Sequence, residues 1–577
     1  MRQNVHEALK GYSERILGPV ISDTILGEHK GLPKFLFFFV VILYFVYMCL
    51  MQGHLMFAGE MWAEMATNYF AVSKDGNLFQ KFFELDSGYI PLLPRIIAFA
   101  GDAIGFPAAS MPYFYTWTSV LLTGCIVGAF CLRPFRAVVP NDILRFFCAL
   151  IILLVADYET RTFINFTYFG IFLISVVTAL SLSDSNRDVP RWCWLICFLI
   201  LSKPAIVAVV PSLILAAIFA KRRFRLVATA SIMLCCIQLI QMVHSHANGG
   251  FVTQINYSSF QKIDAGFRYS LGFLGGMLSG KKVAAEYYPP LIYGSIALFM
   301  ILLTFCLVRR RSNSLLIIGL GLLLMNFMLN AFALSSQWNV NMENLPGVPL
   351  YRHTIVGFFG TTLIVTGWIS TVFAADCPKF PFLISWLKPL VLALWFFVSG
   401  WAAFSVNVNK AVNPFAFNNS KWQEMSSAID SGAPVCVPID PLGWQFLRGC
   451  TDFTPNISWV AQFDYEKILE PGVFIPITMP QSVSDRTVMS VGVLLKPQSI
   501  SKSTVQVTLV FQLKSGAKVF YSGQSELPPS GGLILLAGDK SISAQEVQSV
   551  QLMSSQPIRL ASIKDDRNTL AVSWSGR

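Results

Sequence analysis

The feature that most constrains this chain is a succession of long apolar runs, from Leu32 to about Ser405, with few charges inside them. A helix needs about 20 mostly apolar residues to cross a bilayer, where no water satisfies its backbone. Runs near 33–52, 112–132, 143–157, 163–182, 191–202, 205–220, 226–243, 290–308, 314–334, 354–374 and 383–404 meet or approach that length. The third, fifth and sixth are short and read as half-spans or one bent hairpin. The expected fold is a polytopic α-helical membrane protein of about 11 transmembrane helices.

Charge supports this and orients it. Charged residues are 13% of the chain, about half the share in a soluble protein. The formal charge of +11 is held in short clusters between apolar runs: "RPFR" (Arg133, Arg136), "KRRFR" (Lys221 to Arg225) and "RRR" (Arg309 to Arg311). Cytoplasmic loops carry such clusters, so that side is expected to be cytoplasmic and to hold the N-terminal segment 1–32. Loops 53–111, 244–289 and 335–353 then face the opposite side, with everything after the membrane domain 33–405. The Arg/Lys-plus-aromatic stripe of a nucleic-acid groove is absent, which argues against that class of partner.

After Val406 the text changes. Residues 406–470 read as a mixed linker region with a helix near "NSKWQEMSSAIDSG". Residues 471–577 read as short alternating strands punctuated by Gly, Pro, Ser and Asp, from "VFIPIT" to "TLAVSW". That pattern predicts a β-sandwich or jelly roll. Of 12 cysteines only Cys436 and Cys450 lie in this exported part, and an oxidising compartment would let them pair as a disulfide.

Chemistry is expected from ionisable groups near outer span ends, since charge at membrane depth is costly. "FAGEMWAEMATNYF" reads as an interfacial helix continuing the first span, with Glu60 and Glu64 four apart on one face. Neighbouring carboxylates at a low-dielectric surface raise one pKa and suit a general base, Glu64 favoured. Helix-end charges kept in water are the bland reading. Glu84 and Asp86 are further acids before Gly88. Arg95 is either a snorkelling side chain or a phosphate ligand. Lys203, before Pro204 in "LSKPAIVAVVP", is held out of helical geometry at a broken span, or belongs to a simple kink. Arg352 and His353 stand at an outer helix N-terminus, as an anion site or an interface anchor. Asp157 is a reserve acid or base, in a short outer turn with Glu159 and Arg161, whose bland reading is that the three pair with each other. No Walker loop, dinucleotide glycine pattern, HExxH or Cys/His metal spacing is present, so no cofactor is expected; dependence on a divalent metal stays open.

Together these segments resemble GT-C-type glycosyltransferases, especially the Gtr-like membrane enzymes that modify O-antigen or other surface glycans. The likeness covers roughly 35–445 and is carried by "WAEMATNYF", "GYIPLLPR", "RTFINFTYFGIF", "LSKPAIVAVVP", "PLYRHT" and "VPIDPLGW". It departs where Met65 follows Glu64 and where Tyr351 precedes Arg352. The C-terminal domain adds nothing to the match and is expected in the periplasm from the charge pattern. The resemblance implies a bacterial inner-membrane enzyme. It implies transfer of a monosaccharide, with inversion, from a polyprenyl-phosphate donor to a glycan or protein acceptor in the periplasm. Glu64, Glu60 or Asp157 would serve as base. Arg95, Lys203 and Arg352 would hold the lipid phosphate, and Tyr89, Asn165 and His353 would contact substrate. The rival readings are a lipid-linked-sugar flippase, an O-antigen ligase or polymerase acting on whole lipid-linked glycans, and a noncatalytic scaffold. A transporter would show internal repeats; none is visible between the two halves.

Overall fold

A computed structural model describes residues 31–86, 88–156, 159–183, 190–220, 222–244, 260, 290–308, 314–333, 355–372, 381–398, 417, 420–440, 444–449, 451–452, 458–462, 468–479, 481–497, 503–527, 532–560 and 569–576. The chain divides into two compact units. One is Met1–Met51, Phe82–Ile96 and Trp117–Asn413; the other is Gln52–Lys81, Ile97–Thr116 and Pro414–Arg577. Parts of the loop read as 53–111 therefore belong to the same unit as the C-terminal region, a division that no composition shift in the sequence marks.

The first unit is helical. Its longer elements are α1 (Leu32–Met51), α2 (Leu92–Ile104) and α3 (Met111–Gly128), the last two shared with the second unit. They are followed by α4 (Asp142–Val155), α5 (Gly170–Ser183), α6 (Val210–Phe219), α7 (Arg222–His244), α8 (Pro290–Val308), α9 (Ser314–Ala333), α10 (Ile355–Val372) and α11 (Pro381–Val398). Among the described residues, four helical stretches are long and apolar enough to cross a membrane: Leu32–Met51, Met111–Cys131, Phe166–Ser183 and Arg223–His244. α1 buries one stripe, Leu36, Val40, Tyr44 and Met48, at the i, i+4 spacing of a single helix face. Its other faces expose Phe35, Phe38, Ile42, Val46 and Leu50. Such a surface is unfavourable in water and at home in lipid. α9 and α10 approach so closely at Gly319 and Gly360 that a Cβ on Gly319 would lie 2.5 Å from the Gly360 carbonyl oxygen. With no hydrophobic drive between helices in lipid, close backbone contact of this kind supplies the packing.

One basic cluster departs from its sequence reading. Arg136 of "RPFR" does not reach out as an interface anchor. It is buried, and both Arg136 and Arg145 bond the Asp142 carboxylate at the start of α4. Arg145 also donates to the carbonyls of Phe130 (3.0 Å) and Cys131 (3.3 Å). Buried charges persist when paired and hydrogen-bonded in this way.

The second unit carries α12 (Trp422–Asp430), then β1 (Val435–Ile439) and β2 (Trp444–Arg448) as an antiparallel pair. Strands β3 (Thr451–Asp452), β4 (Ser458–Gln462) and β5 (Ile468–Leu469) follow, in the region read as a mixed linker. The alternating runs become β6 (Ile475–Ile477), β7 (Thr487–Pro497), β8 (Ser503–Leu513), β9 (Lys518–Leu527), β10 (Gly532–Ser543), β11 (Val547–Ser554), β12 (Ile558–Leu560) and β13 (Thr569–Gly576).

The expected β-rich C-terminal domain is present in the form of a curled sheet. Among the described residues, β3 to β13 form one continuous sheet, with the main order β3-β13-β7-β10-β9-β8-β11-β6. The sheet curls, so alternate residues of nearly every strand meet in one core: Val491 and Val493, Val507 and Leu509, Leu536, Leu552, Trp574. A register shift in β10 between Ala537 and Ile542 bends the strand. The Tyr521 hydroxyl fastens the bend by bonding the carbonyls of Val488 and Lys540, both at 2.8 Å.

Candidate functional site

The helical unit gathers polar groups around a broken apolar helix. The helix Ile196–Ile200 ends, Lys203 is extended (φ −153°, ψ 141°), and Pro204 opens a 3-10 segment, Pro204–Val209. Proline forces this by excluding helical geometry from the residue before it. The freed groups find partners at the N-terminus of α2, where a helix has donors to spare. Leu92 N–H bonds the Leu201 carbonyl at 2.8 Å, and Leu93 N–H bonds the Ser202 hydroxyl oxygen at 3.2 Å. Gln238 of α7 clamps the preceding segment, accepting from Ile90 N–H at 3.2 Å and donating to its carbonyl at 3.3 Å. Nothing in the sequence singled out Gln238; a glutamine inside an apolar span was the signal available.

Lys203 is only 6% exposed. Its ammonium donates to the Tyr89 hydroxyl at 2.5 Å and lies 4.8 Å and 5.8 Å from the rings of Tyr89 and Tyr168. The Tyr89 hydroxyl in turn lies 3.5 Å from an Asp86 carboxylate oxygen. Asp86 is 3% exposed, and the backbones of Asp86 and Tyr89 exchange hydrogen bonds of 2.8 Å and 3.1 Å across the turn. A carboxylate, a phenol and an ammonium thus stand in line in a low-dielectric setting. Sequence reasoning named Tyr89 and Lys203 separately and ranked Asp86 below the glutamates; the turn that joins them is a tertiary result.

The other predicted residues of this unit are buried near backbone. Arg95 donates from Nε to the Glu84 carbonyl at 3.0 Å, so it is not a side chain reaching up to the interface. Asn165 donates to the Glu159 carbonyl at 3.1 Å. Arg161 bonds three carbonyls at the C-terminal end of α4 and stacks on Tyr47 at 4.8 Å. Asp157, Arg352 and His353 lie outside the described residues.

The second unit holds Glu60 and Glu64, and here the sequence reading is corrected. The helix Gly53–Phe57 does not continue through them. Gly59 and Ala63 take left-handed backbone, φ 70° and 46°, Trp62 bridges to Asp440, and a π-helix starts at Met65. The helical i, i+4 relation between the two glutamates is therefore lost. Glu64 is the N-cap residue of that π-helix and is half-buried. Glu60 turns to a distant partner and caps α12. Its carboxylate accepts from the Ser420 hydroxyl, from Trp422 N–H at 3.0 Å and from Gln423 N–H at 3.4 Å. Burial raises the Glu60 carboxyl above its usual range, while these three hydrogen bonds pull it back down. α12 gathers its surroundings further. The Trp422 indole donates to the Ala108 carbonyl at 2.8 Å, and its ring meets Phe70 and Phe446 edge-on at 5.0 Å and 5.5 Å.

Cys436 is disulfide-bonded, and Cys450, the partner expected from the sequence, lies outside the described residues. Among the described residues no group of three or more His, Cys, Asp or Glu is placed to hold a metal ion. No protein-family model, curated protein or solved structure matches the chain.

Proposed function

We propose that this chain is a membrane glycosyltransferase that moves a monosaccharide from a polyprenyl-phosphate donor to an acceptor on the outer face of the membrane. The observation that carries the reading is the buried Asp86–Tyr89–Lys203 line at the broken span. Inverting transfer needs a base for the acceptor hydroxyl and a fixed cation for the departing phosphate, both shielded from water. In this reading the acceptor oxygen attacks the anomeric carbon as the bond to phosphate oxygen breaks. The acceptor proton passes to a carboxylate, and the phosphate keeps the bonding pair beside the Lys203 ammonium. Asp86 takes the proton, with Glu64 the carboxylate of next choice. Glu60 is a positioning residue, since its oxygens are committed to α12. Arg95 and Arg352 remain further phosphate ligands.

The sidedness of the units supports the same reading. Segments 52–81 and 97–116 belong to one compact unit with the C-terminal region. Their membership of one unit suits a shared side of the membrane, which an even number of crossings between them would give. Ten of the roughly 11 expected spans lie between, which meets that condition. The RPFR, KRRFR and RRR clusters then face the cytoplasm.

The test is transfer in proteoliposomes from a radiolabelled polyprenyl-phosphate sugar. Its identity is first read by mass spectrometry of surface glycans and glycoproteins missing from cells that lack the chain. Asp86→Asn and Lys203→Met should each cut turnover at least 100-fold while leaving the melting profile close to wild type. Wild-type turnover in both would sink the reading. Saturable sugar-lipid transport without any transfer would replace it with the flippase.

A further inference from the structure

The helical unit holds one buried cation whose charge the described chain leaves unanswered. Arg161 is 1% exposed. Its Nη2 donates to the carbonyls of Leu153 (3.2 Å), Leu154 (3.0 Å) and Ala156 (2.7 Å). Its Nε and Nη1 are buried with no hydrogen-bond partner. Among the described residues it forms no ion pair. The contrast with Arg136 and Arg145 is direct, because those two share the Asp142 carboxylate.

A buried lysine can shed its proton to escape such a position; an arginine cannot. Carbonyl dipoles satisfy donors but bring no full negative charge. A buried guanidinium in this position calls for an anion that the described residues do not supply. The surroundings fit one. Tyr47 covers a face of the guanidinium at 4.8 Å, and the Tyr44 ring stacks beside Tyr47 at 6.5 Å. The Tyr44 hydroxyl is itself buried without a partner, within reach of the Arg161 charge. Two guanidinium nitrogens and one phenol O–H are buried donors without a partner, and both tyrosines stand on α1, whose other faces expose apolar side chains. Tetrahedral oxyanions take several donors at once, and guanidinium suits their oxygens.

We infer that Arg161, with Tyr44 and Tyr47, forms a phosphate-binding site. Its source is the headgroup of a membrane lipid that reaches it along α1, or free phosphate. In its lipid form the site deepens the proposed function, on which that form rests, by adding a donor-phosphate contact besides Lys203.

The probe is thermal unfolding of the full-length protein in a neutral maltoside detergent. It is titrated with dodecyl phosphate, with inorganic phosphate and with dodecanol as the uncharged control. Dodecyl phosphate should raise the wild-type melting temperature saturably, and dodecanol should not. Inorganic phosphate saturating at similar concentrations assigns the site to the free anion; a preference of tenfold or more for dodecyl phosphate assigns it to a lipid headgroup. Arg161→Met should abolish the saturable shift. Should that variant not fold, Arg161→Lys keeps the charge and loses the fork, and should weaken the response at least tenfold. No shift in wild type with either phosphate overturns the site, as does an equal shift in the Arg161 variants. Phosphate binding through Arg161 without sugar transfer would leave this site standing and remove the proposed function. Transfer without such binding would do the reverse.

Discussion

Replacing Glu60 separates a structural carboxylate from a catalytic one. Glu60→Ala leaves the Ser420 hydroxyl and the Trp422 N–H without their acceptor, and both residues are buried. An abandoned buried donor costs about 1–3 kcal/mol. The third bond, at 3.4 Å to Gln423, is too long to add much. Part of the loss is returned because the carboxylate itself is costly to bury, as its raised pKa records. The net loss should be about 2–4 kcal/mol, a fall of roughly 4–16 °C in the melting of a unit this size. Glu60→Gln keeps an oxygen at the α12 terminus and removes the charge, so it should lose about 1 kcal/mol or less.

The pH dependence follows the same residue. Its folded-state carboxyl is raised above the ordinary 4.5, so the folded chain binds the proton more readily than the unfolded chain. The stability from this proton is full below about pH 4.5, is lost as pH rises through the folded-state pKa, and is level above it. Differential scanning calorimetry of wild type and Glu60→Gln from acid to neutral pH reads both effects. The wild-type advantage should shrink with rising pH across that window. Equal melting of Glu60→Ala and wild type at neutral pH would refute the assignment of Glu60 as the α12 cap, and an advantage that grows with pH would refute the raised carboxyl.

Four other outcomes can be checked alongside. Gly319→Ala should lower the melting temperature in detergent, because its Cβ meets the Gly360 carbonyl, whereas Gly321→Ala, with open space around it, should not. Trp422→Ala should destabilise the second unit by about 3–5 kcal/mol, the usual cost of emptying a buried aromatic site, seen as earlier unfolding or faster proteolysis. Gln238→Leu should reduce transfer by loosening the segment at Ile90, with stability changed less than turnover, measured in the proteoliposome assay. Cys436 should resist maleimide labelling under denaturing conditions until a reductant is added, read by peptide mass spectrometry.

Local chemistry explains what the sequence determined by itself. Apolar runs located the helices, since a long unbroken apolar stretch has few other stable forms. Alternation located β6 to β13, because side chains point to opposite faces with a period of two. Pro204 marked the broken span, since its ring acts on the adjacent residue alone. Tertiary structure decided the rest, where partners lie far apart along the chain. The pairing of Glu60 with Ser420 and Trp422 joins residues some 360 positions apart, and no helical periodicity could foresee it. A left-handed Ala63 undid the local expectation that Glu60 and Glu64 share a face. The single curled sheet likewise depended on a bend in β10, which strand alternation does not encode. Arg161 is the sharpest case. Its acidic sequence neighbours suggested a turn of paired charges, yet packing buried its guanidinium with donors to spare, because the fold brought α1 and the end of α4 together around it.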